Sequence, residues 1–68
     1  MKVMISRFPN QDKQERFQVY ANSTPVTKEQ DDESVAWSFA RAIFHQSEGN
    51  TLVVWDAYCG KETLIDRN

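Results

Sequence analysis

Val35-Ala36-Trp37-Ser38-Phe39-Ala40-Arg41-Ala42-Ile43-Phe44 is the stretch on which the fold turns. Val35, Ala36, Phe39, Ala40, Ile43 and Phe44 recur at three- and four-residue spacing, which sets them along one broad side of an α-helix. Ala36, Phe39, Ala40 and Ile43 are expected to be its contribution to the core. The start of the helix is signalled twice. Thr27 and Gln30 have the spacing of a capping box, and Asp31 or Asp32 is a competent N-cap. Either choice leaves Asp31, Asp32 and Glu33 near the first turns, where carboxylates favour the positive end of the helix dipole. Gly49 stands where a helix-ending glycine belongs. Trp37 and Arg41, four apart on the flank of the core side, are within reach of a cation–π stack, and closing the edge of the core is the simpler role for Trp37.

Strand patterns lie on both sides of the helix. In Lys2–Phe8, Val3 and Ile5 fall on one side, and Met4 and Phe8 on the other. Pro9 ends this run, and the polar stretch from Asn10 to Gln14 reads as a loop. In Arg16–Ala21, Phe17 and Val19 share a face, opposite Gln18 and Tyr20. The two runs read as an antiparallel hairpin, and Asn22-Ser23-Thr24-Pro25 as the break after it. Beyond the helix, Thr51–Tyr58 carries Leu52 and Val54 on one face and Val53 and Trp55 on the other, the mark of a central strand or one covered on both sides. Cys59-Gly60-Lys61 is a turn, and Glu62–Ile65 a short last strand. The expected fold is α+β: a small, mainly antiparallel sheet in β-β-α-β-β order with one helix packed on one face.

One helix covers one face of such a sheet. Val3, Ile5, Phe17, Val19, Leu52, Val54 and Leu64 are assigned to the face beneath it. The opposite face then carries Met4, Phe8, Tyr20, Val53 and Trp55, where an antiparallel sheet ordinarily shows polar residues to water. Apolar patches rich in Trp, Tyr, Phe and Met are typical of interaction sites. The alternative is that a loop or the C-terminal segment covers this face. A slip of one residue in any strand would exchange the two faces.

The chain has 68 residues, room for one domain over 1–68. Apolar residues at 40% and aromatics at 12% place it among folded proteins rather than disordered ones. A domain this small needs a well-packed core or a partner for stability. Disulfides within the chain are excluded, because Cys59 is the only cysteine. A Cys/His metal cage is equally poorly served, because His45 is the only histidine. A lone thiol fits a reducing compartment, and we expect a cytoplasmic protein. The apolar run in Met1-Lys2-Val3-Met4-Ile5-Ser6-Arg7 is too short for a signal peptide, and no stretch reaches transmembrane length.

The sequence offers no catalytic residues, no metal ligands and no cofactor motif. Cys59 and His45 lack any signature of a nucleophile–base pair. The run Asp31-Asp32-Glu33 lacks the alternating oxygen ligands and glycine of a calcium loop. It reads as a solvated first helical turn, or as an acidic rim that tunes on-rate and specificity. With only Gly49 and Gly60, there is no phosphate-binding glycine loop. The net charge of −2 gives no general attraction for phosphate backbones, which argues against direct nucleic-acid binding. Tyr20, Trp55 and Tyr58 would nevertheless suit a stacking platform for a single strand.

In size, acidity and β-β-α-β-β layout, with segments such as Val35-Ala36-Trp37-Ser38-Phe39-Ala40 and Leu52-Val53-Val54-Trp55-Asp56, the chain resembles small phage and mobile-element proteins that inhibit host machinery, anti-CRISPR proteins among them. The resemblance spans the whole chain, rests on no motif and carries over no functional residue. It implies a stoichiometric inhibitor that covers a surface of a larger host protein or ribonucleoprotein complex. The residues expected to bind that partner are Tyr20, Val53 and Trp55 on the open face, with Asp31, Asp32 and Glu33 as an acidic contact. A homodimer that buries the same face, and a single-stranded nucleic-acid binder, are the alternatives.

Overall fold

The computed structural model describes residues Met1–Asn68. The elements in chain order are β1 (Lys2–Pro9), β2 (Glu15–Ala21), β3 (Thr24–Pro25), α1 (Glu33–Phe44), β4 (Thr51–Asp56) and β5 (Lys61–Arg67). The strands form one sheet in the order β3-β2-β1-β4-β5. Three ladders are antiparallel, and the interior pair β1–β4 is parallel. The connection explains the parallel pair. After β2 the chain turns into β3 and α1 carries it back across the sheet, so β4 starts where β1 starts. The fold is the expected α+β arrangement, a mainly antiparallel sheet with one helix on one face.

Local chemistry sets the turns. Asn10 Oδ1 accepts from the amides of Asp12 and Gln14, both at 2.9 Å, and closes the β1–β2 loop as an Asx turn. Asn22 and Ser23, expected to break the strand, do not end the sheet there. They instead form a two-residue hairpin turn with φ of 49° and 70°, and Thr24–Pro25 continues as β3. Both turn residues thus have the positive φ that a type I′ hairpin demands.

Of the competing helix caps, Asp32 is the one used. Its Oδ1 accepts from the Ser34 amide at 2.9 Å and the Ser34 hydroxyl at 2.7 Å. Thr27 serves the sheet instead, its Oγ1 accepting from the Val19 amide at 3.1 Å. The hydrogen bonds from Ser34, side chain first and backbone second, hold the Asp32 carboxyl below its ordinary range. A depressed carboxylate stabilises the fold above its unfolded pKa, and that contribution is lost as the pH falls through the folded value. Asp32→Ala is therefore expected to melt below wild type at neutral pH. The gap should narrow as the pH is lowered through the carboxylate range, which thermal melts across that range would check.

The core lies between α1 and one face of the sheet. Val3, Ile5, Phe17, Val19 and Leu52 are buried there against Ala36, Ala40 and Phe44, with Trp37, Ile43 and Val54 packed around them. Two expectations are corrected. Phe39 is 49% exposed and Phe44 only 1%, so the buried stripe runs Ala36-Ala40-Phe44. The helix packs rotated away from Phe39, with one four-residue ridge against the sheet. Leu64 pairs with Val53, not with a core-face residue, and belongs to the face away from the helix.

The helix ends at Phe44 with His45 as its C-cap, several residues before Gly49, which takes a positive φ of 86° in the following loop. Two asparagines satisfy the last carbonyls. Asn50 Nδ2 donates to Ile43 O at 3.3 Å and to Phe44 O at 3.2 Å. Asn68 Nδ2 donates to Phe44 O and to Ser47 O, each at 2.9 Å. Asn50 is 2% exposed, one of only two buried polar residues, which marks it as the lock between helix and sheet.

Candidate interaction surface

The register brings the open face together row by row. Pro25, Tyr20, Met4, Val53 and Leu64 are successive cross-strand partners, one from each strand. The next row is Gln18, Ser6, Trp55 and Glu62. Phe8 and Arg16 pair beyond it, and Lys2, Thr51 and Arg67 lie on the other side. The central row is apolar from one edge of the sheet to the other. Tyr20 and Val53 share it, and Trp55 sits in the adjacent row.

No element of the chain covers this face. The helix lies on the other side, and the segment after β2 runs along the sheet edge, where Gln30 and Phe17 exchange backbone hydrogen bonds of 2.7 and 2.8 Å. The C-terminal segment extends the sheet as β5 rather than folding over it. The exposure along the row is uneven. Met4, Tyr20 and Trp55 are half-buried by their neighbours, and Leu64 is open at 47%. Val53 is only 5% exposed. An ion pair explains this. Lys2 Nζ meets Glu62 Oε1 at 2.6 Å, and the line between their positions on β1 and β5 crosses β4 at Val53. The pair is solvent-exposed and contributes little stability, so a docking partner can displace it at small cost. Tyr20 is held by a hydrogen bond from its hydroxyl to Gln18 Oε1 at 3.1 Å, and Gln18 Nε2 donates to Thr27 O at 2.9 Å.

The acidic run is not brought to this face. Asp31, Asp32 and Glu33 stand at the start of α1, in the other layer, and Asp32 is engaged as the cap. Leu64 is the residue of the row that sequence reasoning placed wrongly. Its side is set by the β4–β5 hairpin register, in which Asp56 pairs with Lys61 and the alternation runs unbroken to Val53 and Leu64 before the bulge at Ile65, and no pattern within β5 announces that register.

The remaining polar clusters are structural. Arg7 extends from the helix side of β1, donating to Asp56 Oδ2 at 3.0 Å and Glu15 Oε2 at 2.9 Å, with its guanidinium 4.6 Å from the Tyr58 ring centre. The hydrogen bond to Glu15 leads the causes that raise its pKa further. With both ends of its fork on carboxylates, Arg7 staples β1, β2 and the end of β4. Arg41 stacks over Trp37 at 5.3 Å, and Trp37 also packs on the core, so both readings of that pair hold. Cys59 and His45 lie beyond opposite ends of β4, about 20 Å of strand, and do not form a pair. No group of three or more His, Cys, Asp or Glu side chains is placed to hold a metal ion. The surface depression beside the β1–β2 loop is lined by Phe8, Pro9, Asn10, Gln11, Asp12 and Glu29, with no histidine, cysteine, serine or lysine among them. No helix is long and apolar enough to cross a membrane.

Comparison with family models, with curated proteins and with solved structures gives no match.

Proposed function

We propose that the chain is a non-enzymatic, cytoplasmic protein-binding module whose binding surface is the uncovered face of its sheet. Its action would be that of a stoichiometric inhibitor, as the resemblance to small phage proteins implies, covering a surface of a larger host protein or ribonucleoprotein complex. The observation that carries the reading is the apolar row Pro25-Tyr20-Met4-Val53-Leu64 with Trp55 beside it, on a face that nothing in the chain covers. Tyr, Trp and Met are enriched in protein interfaces, and aromatic anchors carry most of the binding energy.

The test is a tagged pull-down from a bacterial lysate with wild type beside Trp55→Asp. A specific complex retained by wild type and weakened by about 30-fold or more in the variant is the expected result. Circular dichroism must show the variant folded. An unfolded variant would make Trp55 a core residue, and unchanged capture would remove the face from the interface. Arg16 and Arg67 flank the same rows, which favours single-stranded nucleic acid as the second reading. Its signature is binding that weakens steeply with salt. A homodimer through this face would show twice the chain mass by light scattering.

A further inference from the structure

The two edges of the sheet are built differently. On the β2 side the outward positions Phe17, Val19 and Ala21 are engaged. Val26 N donates to Val19 O at 2.9 Å, and Gln30 and Phe17 bond each other as described. The outermost strand there is two residues long and ends in a proline, which has no amide to offer. On the other side β5 runs for seven residues, all exposed.

The backbone hydrogen bonds show which β5 groups are free. Thr51 N donates to Met1 O at 3.0 Å, and Ala57 N to Arg7 O at 2.9 Å. With the alternation of a parallel ladder, Thr51, Val53, Trp55 and Ala57 turn their polar groups to β1, and Leu52, Val54 and Asp56 turn theirs to β5. The register partners of those three are Asp66, Thr63 and Lys61, which therefore point inward. Glu62 and Leu64 direct their amides and carbonyls outward. Arg67 also points outward, but its amide is taken by Asp66 Oδ1 at 2.8 Å. The bulge at Ile65 bends the same end. The C-terminal half of the edge is thus blocked, and Lys61–Leu64 is left regular and unpaired.

We infer that Lys61–Leu64 is a docking edge for an extended strand of the partner protein, which adds to the sheet antiparallel to β5. Only another extended backbone offers donors and acceptors at the spacing that Glu62 and Leu64 present. Charge defines the rest of the occupant. It carries an apolar residue opposite Leu64, a base opposite Glu62 and an acid opposite Lys61. A second copy of the chain does not satisfy this pattern. Pairing β5 with itself about Leu64 sets Lys61 against Arg67 and Glu62 against Asp66. Pairing about Glu62 opposes two glutamates, and pairing about Thr63 puts Glu62 against Leu64. The inference rests on the protein-binding reading and extends it, because Leu64 ends the apolar row and an added strand would continue it.

The test uses the full chain, labelled for NMR, and a synthetic peptide reading Thr-Val-Thr-Lys-Glu between glycines. Millimolar peptide should slow exchange of the Glu62 and Leu64 amides by about tenfold or more. The same peptide methylated on its Val and Lys amides should have no effect. Leu64→Pro should also abolish pairing while leaving the fold intact, because that amide bonds to nothing within the chain. In Trp55→Asp the edge should still pair, so a failed open face and a failed edge are told apart. Unchanged exchange, equal slowing by the methylated peptide, or slowing that grows with protein concentration alone would each overturn the inference.

Discussion

Phe44→Ala is expected to remove a large share of the chain's stability, while Phe39→Ala, on the same helix, removes little. Phe44 is 1% exposed and packs with Val3, Ile5, Val19 and Leu52 in the single core cluster. Truncating a buried phenylalanine costs about 3–5 kcal/mol, from lost transfer energy and from the cavity left behind. At ~0.05–0.15 kcal/mol per residue, a domain this small holds only about 3–10 kcal/mol in all. Phe39 is 49% exposed, and its truncation should cost under about 1 kcal/mol. That corresponds to a shift in Tm of less than roughly 8 °C for a domain of this size. Melting curves by circular dichroism measure both. Equal losses would mean that the helix presents the Phe39 side to the sheet and that the packing described above is wrong.

The second large effect is expected at Asn50. Asn50→Asp replaces the amide that donates to Ile43 O and Phe44 O with a carboxylate facing those same oxygens, at a site 2% exposed. A buried charge without a partner costs about 3–5 kcal/mol. The penalty has a pH signature. The introduced acid resists ionisation in the folded state, so its folded pKa lies above its unfolded value. The variant then loses stability, relative to wild type, as the pH rises from the unfolded pKa through the folded one. Denaturant midpoints at acid and neutral pH would show a small gap in acid and a large one at neutrality. A gap that does not change with pH would mean that the site is wet, and that Asn50 is not the buried lock between helix and sheet. Asn68, which caps the same carbonyl of Phe44 from the other side, sets the limit of the effect, because one acceptor keeps a donor.

These two residues bear on how the fold is written. Neither periodicity nor propensity singles out Asn50. It precedes a strand, and its polar side chain gives no sign of burial until the helix end is set beside it. Phe44 was visible as a member of the apolar side, but so was Phe39, and a helix with six apolar positions can be rotated either way within its stripe. The packing choice was made by the sheet, whose close-set Val3, Val19 and Leu52 accept the Ala36-Ala40 ridge and leave the aromatic rings to its end and its flank.

Features that depend on neighbours along the chain were legible in the order of residues. The three- and four-residue period of Val35–Phe44 dictated a helix, and the two-residue alternation in Lys2–Phe8, Arg16–Ala21 and Thr51–Trp55 dictated strands with two distinguishable faces. One helix and two apolar faces left one face for a partner, a loop or the C-terminal segment to cover, and Tyr20, Val53 and Trp55 were expected on it. Features that depend on segments far apart in the chain came from the packed fold. It made β1 and β4 parallel neighbours, turned Thr24–Pro25 into a strand, put the acidic run in the other layer, and through the β4–β5 register set Leu64 on the open face. The physical reason is that periodicity is set by the dihedral angles within a segment. Register and bulges are set by hydrogen bonds and packing between segments, and a shift of one residue there reverses every face it touches.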